Sequence, residues 1–573
     1  MLQKVRLFAG YRFFLLTIYR HVSIVVMCLN MTMFDMSIIK QTDKKTGITY
    51  AYETTYRWDK EKKQSRAVRK CIGKVEPQSG EIVPTRGRGK KGESLHSKTH
   101  VTKQGSKPFS GKKHLYLGAT YLLESFANEI GLTHDLQICF PVIYKQILSI
   151  AFYLILEDNN PLYRFEKWHL THKHPYGSDI ASPRSSELFS SITDEQVGHF
   201  FGLQARRRID EEYWAYDSTS ISSYSETLSQ IQYGKNKEND CLPQLNLLLV
   251  FGEKSGLPFY YRKLAGNIPD VITVKHLLED LNILGFGKTK FVMDRGFYSE
   301  SNINGMYKEH VKFIVATKLS LRLIKSNLER ISEKICMPMY YDECSSTYGY
   351  TVMTDWDYTQ VRPNIGDTIK DTRRIYIHYY FNIDRMADET GSFDKKIAGL
   401  HKKLMSGKLI ESHTKAYEQY FIITDNGRKI GYNVDAIKQA KKYMGYFALI
   451  SNEKMGAFTA LHLYRMKDII EKAFGNLKER LNLRRLLVSS ELSLDGKIFV
   501  EFIALILISY LDHKMKENKL YADYTMQQLL DKLDLIECFE DKGHKLRVGE
   551  ILRAQEKIYE QLDVSVPTSS CLA

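Results

Sequence analysis

Tyr213-Trp214-Ala215-Tyr216-Asp217 opens the stretch whose reading decides the fold: a strand-forming run that arrives at a carboxylate. After it come an apolar run over 245–251, the turn Glu253-Lys254-Ser255-Gly256 and a second apolar run over 257–264, a pattern that predicts a hairpin. Residues 272–284 have helical spacing. Residues 290–294 read as a strand ending on Asp294, closed by Arg295-Gly296, and residues 299–309 read as a helix. A further strand is predicted over 311–317.

The order strand, hairpin, helix, strand, helix, strand matches the ribonuclease H-like fold, an α/β class with a mixed central sheet. Order alone does not establish function. Its value is positional: Asp217 falls on the first strand and Asp294 at the carboxyl end of the fourth. Those strands lie side by side in this fold, so both carboxylates can face one site.

Toward the N-terminus, residues 114–209 read as helical and residues 33–113 as a basic β segment with a linker. Within the latter, Thr49-Tyr50-Ala51-Tyr52-Glu53 alternates, Asp59-Lys60-Glu61-Lys62-Lys63 makes a polar turn, and residues 78–113 are rich in Gly, Ser and Lys. Residues 1–32 are read as an extension ahead of a start near Met31 or Met33. Their two apolar runs are split by Arg20-His21, too short for a membrane span and without a clear cleavage site. Toward the C-terminus, residues 318–446 interrupt the core as a β-rich insertion. Residues 447–511 complete the core with helices, and residues 512–573 form a helical tail.

Charge narrows the function. Lys plus Arg number 82 against 67 Asp plus Glu, a net +15, which points to a polyanionic partner. Residues 40–113 hold 20 basic and 7 acidic side chains, a net of +13, so the rest of the chain is near neutral. Lys62, Lys63, Arg66, Arg69 and Lys70 lie there among strand-forming aromatics, as a folded nucleic-acid-binding module would place them. The eight cysteines are scattered without a CxxC pair, which argues against a zinc finger or a disulfide scaffold and fits a reducing cytosol.

The third signal is Tyr464-Arg465-Met466-Lys467-Asp468-Ile469-Ile470-Glu471, continuing to Lys478. On one continuous helix, Tyr464, Lys467, Glu471 and Lys478 share a narrow polar stripe beside an apolar one formed by Leu463, Ile470, Ala473, Phe474 and Leu477. Alone, this is also what an amphipathic surface helix with an ordinary i,i+4 pair looks like. The segment resembles the Tyr-(2)-Arg-(3)-Glu-(6)-Lys signature of DDE transposases from bacterial insertion sequences, with Lys467 in place of Arg. Met293-Asp294-Arg295-Gly296-Phe297 resembles that family's second Asp motif, Tyr216-Asp217-Ser218-Thr219 its first, and Gly266-Asn267-Ile268-Pro269-Asp270 one of its loops. The insertion before the Glu is another family trait.

The resemblance implies a metal-dependent DNA transposase with Asp217, Asp294 and Glu471 as catalytic, metal-binding carboxylates. It implies water attack that frees a 3′-hydroxyl, then attack of that hydroxyl on target DNA. Two Mg²⁺ ions about 4 Å apart suit such chemistry, with Mn²⁺ able to stand in, and Mg²⁺ prefers oxygen ligands. Tyr464, Lys467 and Lys478 would hold the DNA end, Lys467 as a point charge where Arg would grip bidentately. Trp356 is open to two readings, a packed aromatic or a ring that stacks on a displaced base. The expected partners are double-stranded DNA and a second copy in a synaptic homodimer, with no membrane or small-molecule cofactor. The expected location is the cytoplasm, on the nucleoid. A non-catalytic DNA-binding regulator or domesticated transposase, and a stand-alone nuclease of this fold, are the competing readings.

Overall fold

The structure is a computed structural model. It describes residues 37–83 and 113–570, apart from 45, 60–63, 78, 159, 208–211, 226–227, 235–236, 238–240, 284–288, 362–365, 409, 425–428, 482, 484–487, 489 and 541–545. The chain divides into two units, residues 1–105 and 106–573. The N-terminal extension, most of the linker, Lys62 and Lys63 lie outside the described residues.

In the first unit, β1 (Ser37–Thr42), β2 (Thr49–Asp59), β3 (Gln64–Val75) and β4 (Ile82–Val83) form an antiparallel sheet in that order. β2 and β3 pair along one long antiparallel ladder, with Arg57 opposite Arg66, and residues 60–63 of the predicted polar turn lie outside the described residues. Arg69 and Lys70 are exposed on β3.

The second unit begins with β5 (Lys113–Tyr116) and a helical region. Its helices are α1 (Gly118–Glu129), α2 (Leu132–Cys139), α3 (Tyr144–Leu156), α4 (Phe165–His169), α5 (Ser182–Ser190) and α6 (Asp194–Arg206). Thr193 caps α6 through a capping box with Gln196. The central strands follow: β6 (Trp214–Ser222), β7 (Gln244–Gly252), β8 (Pro258–Ala265), then α7 (Asp270–Ile283), β9 (Lys290–Met293), α8 (Glu300–Lys308) and β10 (Lys312–Thr317). They adjoin in the order β10-β9-β6-β7-β8, with β10, β9 and β6 mutually parallel and β7 and β8 antiparallel. This is the ribonuclease H-like arrangement.

The insertion differs from expectation. After α9 (Arg322–Ile331) and β11 (Tyr341–Asp342), the long hairpin β12 (Thr347–Val361) and β13 (Thr368–Asn382) joins the core sheet instead of forming one of its own. The joint is β16 (Tyr446–Ser451), antiparallel to both β10 and β13, so the sheet grows to nine strands. His378 ties the joint, its ring nitrogens 2.9 Å from Thr351 Oγ1 and 3.1 Å from Ser451 Oγ. The rest of the insertion is a small helical lobe: α10 (Ile383–Met405), α11 (Thr414–Tyr420), β14 (Phe421–Thr424), β15 (Lys429–Tyr432) and α12 (Val434–Lys441). Its own core holds Ile397, Leu400, Leu404, Tyr417 and Phe421.

The strand period of two sorts the side chains. Trp214, Tyr216, Phe291 and Met293 enter the cluster with α7, α8 and α9. Ala215 and Val292 point the other way. That second face is covered by α13 (Ala457–Arg465), α14 (Asp468–Gly475) and the 27-residue α15 (Glu491–Glu517), whose buried residues run almost all round it. The predicted helical tail also differs. After α16 (Met526–Asp534), β17 (Glu537–Glu540) pairs with β5 and with β18 (Arg547–Val548), before α17 (Arg553–Gln561). Cys538 is a strand residue in that small sheet, fully buried there.

Candidate active site

The register of β6 and β9 sets the site. Tyr216 pairs with Met293 across the parallel ladder, so Asp217 and Asp294 follow as the next pair, on adjacent strands about 5 Å apart. Both share the parity of Ala215 and Val292 and face α13 and α14. Asp294 keeps an extended backbone (φ −77°, ψ 168°), and a single 3-10 turn, Arg295–Phe297, follows. Asn302 pins that turn, its amide donating to Phe297 O at 2.8 Å and Val271 O at 2.7 Å.

The helix opposite is not the single helix expected. α13 ends at Arg465, and i→i−3 bonds from Met466 to Leu463 O and from Lys467 to Tyr464 O make one tight turn before α14. At three residues per turn, positions three apart eclipse, so Tyr464 and Lys467 still align, and Glu471 follows one α-turn on. Tyr464 Oη donates to Asp294 Oδ1 at 2.8 Å. Lys467 Nζ lies 3.1 Å from Glu471 Oε1 and 3.8 Å from Asp294 Oδ1. Lys478 sits in a π-turn, Asn476–Arg480, where the wheel that aligned it with Glu471 no longer applies. It is half-buried and engaged with a partner.

Electrostatics separate the two Asp residues. Burial pushes the Asp217 carboxyl up to about 6, and Asp294 adds to this, although Lys237, the Ser218 N–H and Lys467 oppose it. Asp294 is also penalised by burial, but the Tyr464 hydroxyl, the Arg295 N–H, Lys467 and the Arg295 guanidinium outweigh that and hold it below the ordinary value. Tyr464 is driven up by burial and by Asp294. Lys467, though half-buried, is held protonated by Asp294, Glu471 and Asp217.

The donor set is all oxygen, the chemistry a hard divalent cation takes. Among the described residues no three acidic, His or Cys side chains converge closely enough to hold one ion. Mg²⁺ commonly takes only one or two carboxylates, so the adjacent Asp217 and Asp294 fit such an ion, with Glu471 behind Lys467.

Trp356 takes the packing reading. It is 8% exposed within the core of the α7 face, and its indole N–H donates to Asn304 Oδ1 at 2.8 Å. Lys237 was missed in the sequence, and Asp270 was noted there only as the end of the loop over 266–270. Lys237 Nζ donates to Ser218 O and Ser218 Oγ, both at 2.6 Å, and lies 3.9 Å from Asp217 Oδ1. Asp270 accepts from Ser218 Oγ at 2.6 Å. Beside Asp294 a cleft of about 490 Å³ opens, lined by Arg295, Arg385 and Arg465 together with Phe447 and Tyr464. No ion pair among the described residues uses Arg295 or Arg465.

A protein-family model described as the transposase DDE domain matches residues 210–507, just over half of the 573. A solved structure described as a piggyBac transposase synaptic complex with hairpin DNA is similar at 8% identity and a TM-score of 0.35, over 69% of this chain and 70% of that one. No curated protein matches the chain.

Proposed function

The chain belongs to the DDE transposase domain family, whose members are in general divalent-metal-dependent, and from that premise we propose that it cuts the ends of a mobile DNA element and joins them to target DNA. The observation that carries the reading is the Tyr216–Met293 pair of the parallel ladder, which sets Asp217 and Asp294 side by side one residue further on, with Tyr464, Lys467 and Glu471 brought against them by α13 and α14.

Asp217, Asp294 and Glu471 would hold Mg²⁺, two ions in full occupancy, with Mn²⁺ as a substitute. The metal supplies charge neutralisation at the scissile phosphate and activation of the attacking oxygen. Lys467 and Tyr464 link the carboxylates through their side chains and keep Glu471 in register with Asp294. Arg295, Arg385 and Arg465 give the phosphate backbone a cationic wall beside Asp294. The basic β unit, with Lys62, Lys63, Arg66, Arg69 and Lys70, binds the element ends in double-stranded form. Two chains synapse two ends as a homodimer, acting in the cytoplasm on the nucleoid. No helix among the described residues is long and apolar enough to cross a membrane.

The test uses purified full-length protein, Mg²⁺ and a labelled duplex carrying the inverted repeats that flank the gene. Nicked and strand-joined products that vanish in Asp294→Ala and in Glu471→Ala establish the reading. Nicking without joining points to a stand-alone nuclease. Equal binding by all three proteins without cleavage sinks the catalytic claim and leaves a DNA-binding regulator.

A further inference from the structure

We propose that Asp270 is a fourth acidic residue of this centre and that Lys237 is a positioning residue acting between it and Asp217. Asp270 holds the Lys237 ammonium partly off Asp217, which keeps that carboxylate available to a divalent cation. The inference rests on the transposase reading of the site; Lys237 lies outside every motif quoted from the sequence, and Asp270, the end of the loop over 266–270, was given no role there.

The geometry around Lys237 is specific. An ammonium has three donors. Two are satisfied by Ser218 O and Ser218 Oγ, each at 2.6 Å. The remaining charge is shared by two carboxylates, Asp270 Oδ2 at 3.5 Å and Asp217 Oδ1 at 3.9 Å, with Asp270 the nearer. Ser218 Oγ in turn donates to Asp270 Oδ1 at 2.6 Å. Asp270 is itself fixed as the first residue of α7, where a helix N-terminus favours an anion. Thr273 Oγ1 donates to the Asp270 carbonyl at 2.6 Å and accepts from the Tyr216 hydroxyl at 2.9 Å, which joins the start of α7 to β6.

The arrangement repeats across the site. Lys467 spans Asp294 and Glu471 as Lys237 spans Asp217 and Asp270. If Asp270 were removed, Asp217 would be the carboxylate left to Lys237 among the described residues, and the ammonium would compete with the cation for it. If Lys237 were removed, Asp217 would face the cation with its nearer ammonium gone and only the Lys467 charge beyond it. A surface ion pair with only a structural role would behave otherwise: its two single changes would be coupled and would act in the same direction, so removing Lys237 would not strengthen cation binding.

The experiment measures Mn²⁺ binding to DNA-free full-length protein by calorimetry and electron paramagnetic resonance. It compares wild type, Asp270→Asn, Lys237→Met, the double variant and Asp217→Asn, each first checked for a cooperative thermal transition. The expected result is that Asp270→Asn weakens binding about tenfold, Lys237→Met strengthens it about threefold, and the Asp270→Asn effect disappears in the Lys237→Met background. The same loss on Asp270→Asn with and without Lys237, or no change, overturns the proposal. Should Asp270→Asn not fold, Lys237→Met decides by sign, since unchanged or weakened binding overturns it. Equal binding by wild type and Asp217→Asn removes the metal site itself, and with it the transposase reading. Binding that depends on Asp217 and ignores Asp270 overturns only this inference.

Discussion

Asp217 is the residue on which the site's pH behaviour turns. Its carboxyl sits at about 6 in the folded chain against an ordinary 3.8, chiefly through burial, and its side chain is 15% exposed. A raised carboxyl means that the folded state still holds a proton the unfolded state has released. Stability therefore falls as pH rises from about 4 to about 6, by about 3 kcal/mol at most. Asp294 is shifted the other way, so its contribution is lost only as pH falls below its ordinary value. Asp217→Asn should remove the slope between pH 4 and 6.5 in metal-free urea unfolding and make the variant the more stable protein at the upper end. Parallel curves for the two proteins would contradict the burial argument. At this scale the sequence was informative where chemistry sits on regular elements. Asp217, Asp294 and Glu471 are marked by a strand, a strand end and a helix. Lys237 gave no such signal, because it stands in an irregular segment between β6 and β7, and its role comes from a fold-back that no periodicity encodes.

The elements carry a second set of consequences. α15 crosses α5 so closely that a Cβ on Gly496 would lie 2.1 Å from the Phe189 carbonyl oxygen, a backbone atom that cannot swing aside. Gly496→Ala should therefore cost about 1–3 kcal/mol by overpacking, read as a lower midpoint in urea with an unchanged slope. One turn further along the same helix, Glu501 is buried with neither carboxylate oxygen hydrogen-bonded, and Lys497 Nζ stands 3.7 Å away. Burial pushes the Glu501 carboxyl up to about 8 from an ordinary 4.5, so its cost builds as pH rises between those two values and is complete above about 8. Glu501→Gln is expected to stabilise the protein by about 1–3 kcal/mol at pH 9 and by less at pH 5. A pH-independent difference would count against it. Elements of the core were legible because their apolar periods are simple, and Ser299, expected as a helix start, does cap α8. The break between α13 and α14 was not, because Met466 and Lys467 are ordinary helix formers. What bends the chain there is the packing of Leu461 against the β9–β10 side and of Ile470 against the α15 side, which belong to different clusters.

At the scale of the whole molecule, charge and architecture divide at nearly the same place. Residues 1–105 carry 21 basic and 8 acidic side chains, a net +13, and residues 106–573 are left with +2. The larger unit holds the nine-stranded sheet, the helical clusters and every residue of the candidate site. The sequence placed the charge correctly but could not place β5 and the insertion, since both pair with strands far along the chain: β5 with β17, and β13 with β16. If the first unit supplies most phosphate contacts, its loss should change affinity through counterion release, at a slope of about −0.9 per phosphate neutralised. A protein of residues 106–573 should then unfold cooperatively on its own and bind end DNA more weakly. The magnitude of its log Kd against log [KCl] slope should be smaller by about 3 or more between 50 and 200 mM, read by fluorescence anisotropy. An unchanged slope would move the DNA-binding surface onto the larger unit, where the cleft lined by Arg295, Arg385 and Arg465 is the cationic wall available beside Asp294. Arg385→Ala and Arg465→Ala would in that case each lower the slope by about 1, and the charge of residues 1–105 would have no part in end binding.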